Sequence, residues 1–567
     1  MKKKMMMWAV VLLSACSMYA QQTEPELADP KPGGQETWNT VKKASVLWGS
    51  TDVRYSRSQP ATGGKTLLLD AWRGERVSAQ AVLSTPVDLS RVTMQVSDLK
   101  GGGCTIPSSC INKYFVRYVM TDWHNNKADS FLLPDHLSPE TEMQVSARTT
   151  RPMWLDIRVP QDAKPGTYKG TLTVTCDGQS MSLPLSLKVC SRVLPPPSEW
   201  AFHLDLWQNP YAVARYFNVP LWSQAHFDHM RPIMKLLADA GEKVITCSII
   251  QHPWNSQTYD PFESMIAKMK QVDGTWKYDY TVFDKWVQFM MDCGIDKQID
   301  CYTLVPWHYV FDYYDCATNS TRQVKCEPKQ AEYRQLILPF LKDFAAHLKA
   351  KGWFDRTCIA MDERPMDQLQ AAWDIVREAD PGYRIEGAMN YKVGATGLID
   401  QMHDISISYN DAHVPLDYLE ARRAKGQKTT FYTCCGPDRP NTFTFSDPAE
   451  SAYIGWHAAT LGFDGYLRWA YCSWTVRPCQ DSRFVTWASG DCYLAYPTGS
   501  SIRMERLVEG IQVYEKLRIL RPTLTASQQK QLDQALAPFR PVVYDETLDA
   551  AQAVNAAKAV VGKLSGK

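Results

Sequence analysis

Asp362 and Glu363 stand side by side in Cys358-Ile-Ala-Met-Asp-Glu-Arg-Pro365, where an apolar run ends in two carboxyl groups and then a proline. Two acids flanking one bond are the equipment of glycosidic hydrolysis, and β/α barrels place their chemistry at the carboxyl ends of strands. The dipeptide alone carries little weight. The chain holds 61 acids, and Asp545-Glu546 is an equivalent pair that reads as decoration at a helix start. Its weight comes from the ends of the other apolar runs. These end at Asp205, Trp207 and Gln208, at Gln251, His252 and Trp254, and at Trp307 and His308. Later runs end at Asn390 and Tyr391, at Tyr409 and Asn410, at Tyr432, and at Arg468, Trp469 and Trp474. Rings stack on sugar faces, while amides and acids read hydroxyls. Any one of these side chains is commonly core packing, so the set carries the inference.

The elements that must position this set follow from the hydrophobic rhythm. Between about 41 and 193, segments such as Val77–Leu83, Met153–Val159, Gly170–Thr175 and Leu183–Val189 alternate at period two between turn signals. That spacing predicts an antiparallel β-sandwich. Leu194-Pro-Pro-Pro-Ser198 then breaks the pattern, because consecutive prolines disfavour both helix and central strand. Beyond it the rhythm becomes strand then helix. Eight strand candidates fall at Phe202–Trp207, Val244–Ile250, Ile299–Val305, around Ile359, Tyr383–Met389, Ile405–Tyr409, Thr429–Thr433 and Gly465–Ala470. This predicts a (β/α)8 barrel over 200–567, with the tail from Ile502 as a helical extension. No GxGxxG turn follows an early strand, which weighs against a nucleotide-binding doubly wound sheet.

At 567 residues the chain exceeds one core, and its 45% hydrophobic and 22% charged fractions are ordinary globular values. A net charge of +1 leaves no basic footprint for nucleic acid. Residues 1–20 read as an export signal: Lys2-Lys3-Lys4, then an apolar core too short to span a bilayer, then small residues. Leu13-Ser14-Ala15-Cys16 resembles a lipobox that would leave Cys16 acylated, in competition with cleavage after Ala20. The polar stretch over 21–40 then reads as a flexible tether. This places the protein in the periplasm or at the cell surface, with membrane contact only through the N-terminal anchor. Sixteen cysteines in an exported chain invite disulfides, with Cys104–Cys110, Cys316–Cys326 and Cys472–Cys479 as short-range candidates. Adjacent Cys434-Cys435 could pair only with strain. Cys and His show no ligand spacing, so neither a metal nor any other cofactor is expected.

Three stretches carry a family resemblance: Ala360-Met-Asp-Glu-Arg-Pro365, Gly490-Asp-Cys-Tyr-Leu-Ala-Tyr-Pro497, and the helix that begins Ser501-Ile-Arg-Met-Glu-Arg. Together they resemble glycoside hydrolase family 123, exo-acting β-N-acetylgalactosaminidases in which a β-sandwich precedes a catalytic barrel. The resemblance covers nearly all of the exported chain. It implies a terminal β-linked N-acetylgalactosamine on a glycan or glycosphingolipid headgroup as substrate. It also implies a retaining mechanism in which the substrate's own 2-acetamido oxygen attacks C1 to give an oxazolinium ion, an exception to the two-carboxylate scheme. Glu363 would protonate the leaving oxygen and later activate water, while Asp362, ionised, would hold the acetamido N–H. Repulsion between the two would keep Glu363 neutral, provided that Asp362 is the better solvated or hydrogen-bonded. Tyr409 is the candidate donor to the acetamido oxygen, and Trp307 and Trp469 the candidate wall and floor. Asn390, His252, Trp207 and Asp491 complete the expected sugar contacts.

Alternatives stay open at this point. A β-N-acetylglucosaminidase of the same mechanism differs only in O4 configuration. A non-catalytic glycan-binding lipoprotein would keep the aromatics without needing the acids. A conventional two-carboxylate glycosidase would draw a second acid from Asp205, Glu386 or Asp411.

Overall fold

The computed structural model describes residues 24–566 apart from Gly102, Asn125, Ser256 and the pair 395–396. The export signal and Cys16 lie outside the described residues. The N-terminal unit is two packed sheets, one of five strands and one of seven. Alternation explains them: Gln179–Val193 buries Leu183, Leu185, Leu187 and Val189 against the partner sheet and turns the intervening residues outward. Pairing is antiparallel with one exception, since Leu67–Arg73 runs parallel to Gln179–Val193. Part of the expected tether is corrected. Glu26 accepts hydrogen bonds from Arg151 Nη2 at 2.9 Å and from the Tyr118 amide at 2.9 Å. Trp38 is buried, its indole donating to Ser58 O at 2.8 Å. Residues 24–40 therefore lie docked on the sandwich, because buried arginines there need a carboxylate partner.

The second unit is an eight-stranded parallel sheet curled into a barrel. Its strands are β1 (His203–Leu206), β2 (Val244–Ser248), β3 (Gln298–Tyr302) and β4 (Thr357–Met361). They continue as β5 (Arg384–Met389), β6 (Asp404–Ser408), β7 (Lys428–Tyr432) and β8 (Gly465–Arg468). All eight coincide with the runs read from the sequence. Their outward residues, such as Ile299, Ile359, Ile385, Ile405 and Ile407, form one apolar shell with the surrounding helices. Closure between β1 and β2 rests partly on side chains. Glu242 accepts from the Leu206 amide at 3.1 Å, and Gln208 accepts from the Thr246 amide at 2.9 Å. Hairpin segments 267–279 and 310–325, which follow β2 and β3, pair into a separate four-stranded sheet that the sequence pattern did not announce.

The inward residues of β1, β3 and β5 build an unusual layer. Barrels ordinarily fill such a layer with branched apolar side chains; here Asp205, Asp300 and Glu386 bring carboxylate oxygens within 4.8 Å of one another, fully buried. Below them His203 and Asp404 pair at 2.7 Å. Asp205 and Glu386, proposed from the sequence as spare catalytic acids, therefore lie in the barrel interior.

The helix Ile502–Leu520 packs on the helix Pro448–Leu461 and against the sandwich. Close approach requires glycine: a Cβ on Gly455 would meet the Gly510 carbonyl carbon at 2.1 Å. Arg503 on this helix donates to buried Asp135 of the sandwich at 3.0 Å. Its Nη1 binds the carbonyls of Thr442, Gly490 and Tyr493 at 2.8, 3.0 and 2.8 Å.

Candidate active site

A pocket opens at the carboxyl ends of the barrel strands, with Asp362, Glu363, Trp207, Trp254, Trp307 and Tyr432 in its lining. Asp362 follows the last residue of β4 and continues the inward phase of Cys358 and Ala360. It is buried, and one carboxylate oxygen accepts the Glu363 amide at 2.8 Å. The other lies 3.4 Å from the Trp307 indole nitrogen. Burial pushes the Asp362 carboxyl up to about 6; the Glu363 amide and the Trp307 and Trp254 indoles pull against that, while the Glu363 charge adds to it. Glu363, one residue beyond, is only partly buried and accepts a hydrogen bond from the Tyr432 hydroxyl. Asp362 is thus the more deeply buried of the two acids.

Aromatic rings make the floor. Trp207 and Trp254 stack with centroids 5.0 Å apart, and Tyr302 packs 4.4 Å from Trp207. Trp307 forms a wall, held from behind by Arg364, whose guanidinium lies 4.9 Å from the Trp307 ring and donates to the Trp307 carbonyl at 3.2 Å. The far wall joins Trp469 to Asp491, the indole donating to Oδ1 at 3.1 Å. Arg468 pairs with the same oxygen at 2.7 Å, both side chains fully buried. Asp491 Oδ2 is buried without a hydrogen-bond partner. The turn that presents it needs Gly490, whose φ is +81° and where a Cβ would strike Thr444 Oγ1 at 2.1 Å.

Of the residues expected at the site, Asp362, Glu363, Trp207, Trp307, Trp469 and Asp491 line this pocket. Three do not and are corrected. Tyr409 is buried against Phe431 and His457, at 5.8 and 5.2 Å, on the outer face of the barrel. The inward phase of β6 runs Asp404, Ser406, Ser408, so Tyr409 points the other way. Asn390 has the right phase but lies past the end of β5, exposed and outside the pocket lining. His252 is exposed at φ 49°, in the loop that carries Trp254 into the pocket. The residue that stands in their place is Tyr432, read from the sequence as a strand end but given no role; it keeps the inward phase of Thr430 and ends β7. Trp254, Trp487, Cys434 and Cys435 also line the pocket. The short-range disulfide candidates are corrected as well: Cys104, Cys110, Cys316, Cys326, Cys472 and Cys479 are unbridged. Cys472 donates to the Asn209 carbonyl, while Cys479 meets the Tyr216 hydroxyl.

Comparison with known proteins places this geometry. A family model for the glycoside hydrolase 123 catalytic domain matches residues 207–520, and one for the glycoside hydrolase 123 N-terminal domain matches 48–176. Among solved structures, a family 123 glycoside hydrolase from Clostridium perfringens, studied for glycolipid glycan hydrolysis, is 28% identical. The alignment covers 92% of this chain and 97% of that one at a TM-score of 0.84. A GH10 xylanase with a bacterial Ig-like domain from termite gut is far more distant, at 14% identity, 64% and 90% coverage and a TM-score of 0.32. No curated protein matches the sequence. The chain is a glycosidase and belongs to glycoside hydrolase family 123.

Proposed function

We propose that this enzyme releases terminal β-linked N-acetylgalactosamine with retention of configuration, using the substrate's 2-acetamido group as nucleophile. The observation that carries the reading is the placement of the acids. Asp362 and Glu363 are sequence neighbours on one wall, whereas an enzyme nucleophile and its acid partner must flank the sugar from opposite sides. The remaining lining carboxylate, Asp491, is tied to Arg468 and Trp469. With the substrate supplying the nucleophile, Glu363 donates a proton to the leaving oxygen and then, as carboxylate, takes one from water. Tyr432 holds the Glu363 carboxyl in place through both steps. Asp362, ionised, accepts the acetamido N–H and stabilises the charge of the oxazolinium ion; burial strengthens that interaction. Stacked Trp207 and Trp254 support the ring. The glycolipid glycan hydrolysis studied in the Clostridium perfringens relative supports a glycolipid glycan as the natural substrate. The leader over 1–20 supports export, with Cys16 as the lipid attachment point.

Paired aryl β-GalNAc and β-GlcNAc substrates test the sugar, and a GalNAc-thiazoline tests acetamido participation. The expected result is cleavage of the GalNAc glycoside, inhibition by the thiazoline, and large losses in Glu363→Gln and Asp362→Asn. Preference for GlcNAc would replace the sugar assignment. An unimpaired Glu363→Gln enzyme would overturn the mechanism.

A further inference from the structure

Strand β7 hands over to Thr433-Cys434-Cys435-Gly436-Pro437, and both cysteines line the pocket with their sulfurs 3.6 Å apart. The backbone around them is held. Buried Asn441 donates to the carbonyls of Cys434 and Pro437 at 3.0 and 2.6 Å. Arg468, itself fixed by Asp491, donates to Asn441 Oδ1 at 2.9 Å and to the Thr433 carbonyl at 3.2 Å. Cys435 is exposed and Cys434 half-buried, so a solvent-borne reagent meets Cys435 first. The hydrogen bond from Cys434 holds the Cys435 thiol below its usual range, although burial and the charges of Asp491 and Glu363 oppose it.

We propose that Cys434 and Cys435 close into a vicinal disulfide that forms part of the sugar-facing wall, by exchange with a protein or small-molecule disulfide. The Cys435 thiolate attacks one sulfur of the donor RS–SR, whose other half leaves as a thiolate and takes up a proton. Cys434, deprotonated in turn, attacks Cys435 Sγ and expels the second RSH. Two protein thiols are oxidised and one donor disulfide is reduced to two thiols. The sulfurs, now 3.6 Å apart, need to approach to about 2.0 Å on a loop whose backbone hydrogen bonds hold the two residues side by side. A ring through the intervening peptide bond is strained, so this disulfide is reduced more readily than a long-range one. Its consequence for catalysis rests on the glycosidase site proposed above. Oxidation replaces two thiols, one of them poised to carry charge near Glu363, with a rigid apolar edge against the sugar.

Protein exported to an oxidising compartment and purified without reductant is denatured, alkylated with iodoacetamide and mapped by mass spectrometry. The expected peptide carries Cys434 and Cys435 unalkylated and lacking two hydrogens; dithiothreitol then exposes both to alkylation. Full alkylation before reduction overturns the disulfide, whatever the substrate proves to be. On the native enzyme, reduction raises KM by about threefold or more, the size of effect expected when one edge of the sugar wall loosens, and oxidised glutathione restores it. Cys435→Ser shows no response to either reagent. A mapped disulfide whose reduction leaves KM unmoved overturns its place in the sugar wall. Failure to cleave in either redox state falls on the glycosidase assignment instead, since the thiol map is read without substrate.

Discussion

Replacing Asp135 with alanine tests how the sandwich acts on a pocket that it does not line. Asp135 is fully buried and receives Arg503 at 3.0 Å, Arg54 at 3.2 Å and the Tyr496 hydroxyl at 2.7 Å. Its loss strands the Arg503 guanidinium, also fully buried, without a counter-charge. Breaking a buried pair from one side costs about 3–5 kcal/mol. Unfolding entropy of about 2.1 cal/mol/K per residue over 567 residues makes each degree of Tm worth about 1 kcal/mol. Calorimetry should therefore show Tm lower by about 3–4 °C. Activity should fall as well. Arg503 holds the carbonyls of Gly490 and Tyr493 on either side of Asp491, and small misplacements of a sugar contact cost about tenfold or more in rate. The effect depends on pH in a defined direction. Burial raises the Asp135 carboxyl, but the Arg503 and Arg54 charges outweigh it and leave it below its usual range. Its contribution is therefore present above the unfolded value, about 3.9, and is lost as pH falls through the lower folded value. The Tm gap between wild type and Asp135→Ala should hold steady from pH 8 to 5 and close in strong acid. A variant with unchanged Tm and unchanged kcat/KM would refute the idea that the sandwich braces the site.

With Asp362 titrating near 6, kcat/KM for an aryl substrate should fall below that pH as the carboxylate takes up a proton; a profile flat down to pH 4.5 would contradict the role given to Asp362. Tyr432→Phe removes a hydrogen bond to an acid, worth about 1.5–3 kcal/mol, so kcat/KM should drop about tenfold or more with little change in Tm. Tyr409→Phe should leave kcat/KM within about twofold, a contrast that separates the two tyrosines directly.

That contrast also shows what the sequence could reveal. The eight barrel strands were legible because each is a short apolar run followed by polar or aromatic residues, a pattern set by local burial. Choosing between Tyr409 and Tyr432 needed the phase of each strand to within one residue, and a shift of one turns every side chain to the other face. The docked segment at 24–40 was not legible, since Glu26 owes its place to Arg151 and Tyr118, remote in the chain. The hairpins at 267–279 and 310–325 are polar and short, and only pairing with each other makes them a sheet. Cysteine spacing failed at Cys472 and Cys479 for a related reason: the fold turns one thiol to the Asn209 carbonyl and the other to the Tyr216 hydroxyl.

The layer of acids inside the barrel gives folding a proton inventory. Burial holds Asp205 up to about 7, with the Asp404 charge adding to it and His203 opposing it. Burial also holds Asp300 and Glu386 well above the usual carboxylate range, reinforced by the charges of Asp205 and Asp404 and, for Glu386, of Asp300. The native state therefore binds protons that the unfolded chain releases at neutral pH. With folded values raised, this contribution is fully present below the unfolded values, about 4, and is lost as pH rises through the folded ones. Refolding at pH 7 should take protons from the buffer, so calorimetric enthalpies should differ between buffers of unlike ionisation heat. Alkaline media would then loosen this enzyme from the middle of its barrel outward, while acid would loosen it at the seam with the sandwich.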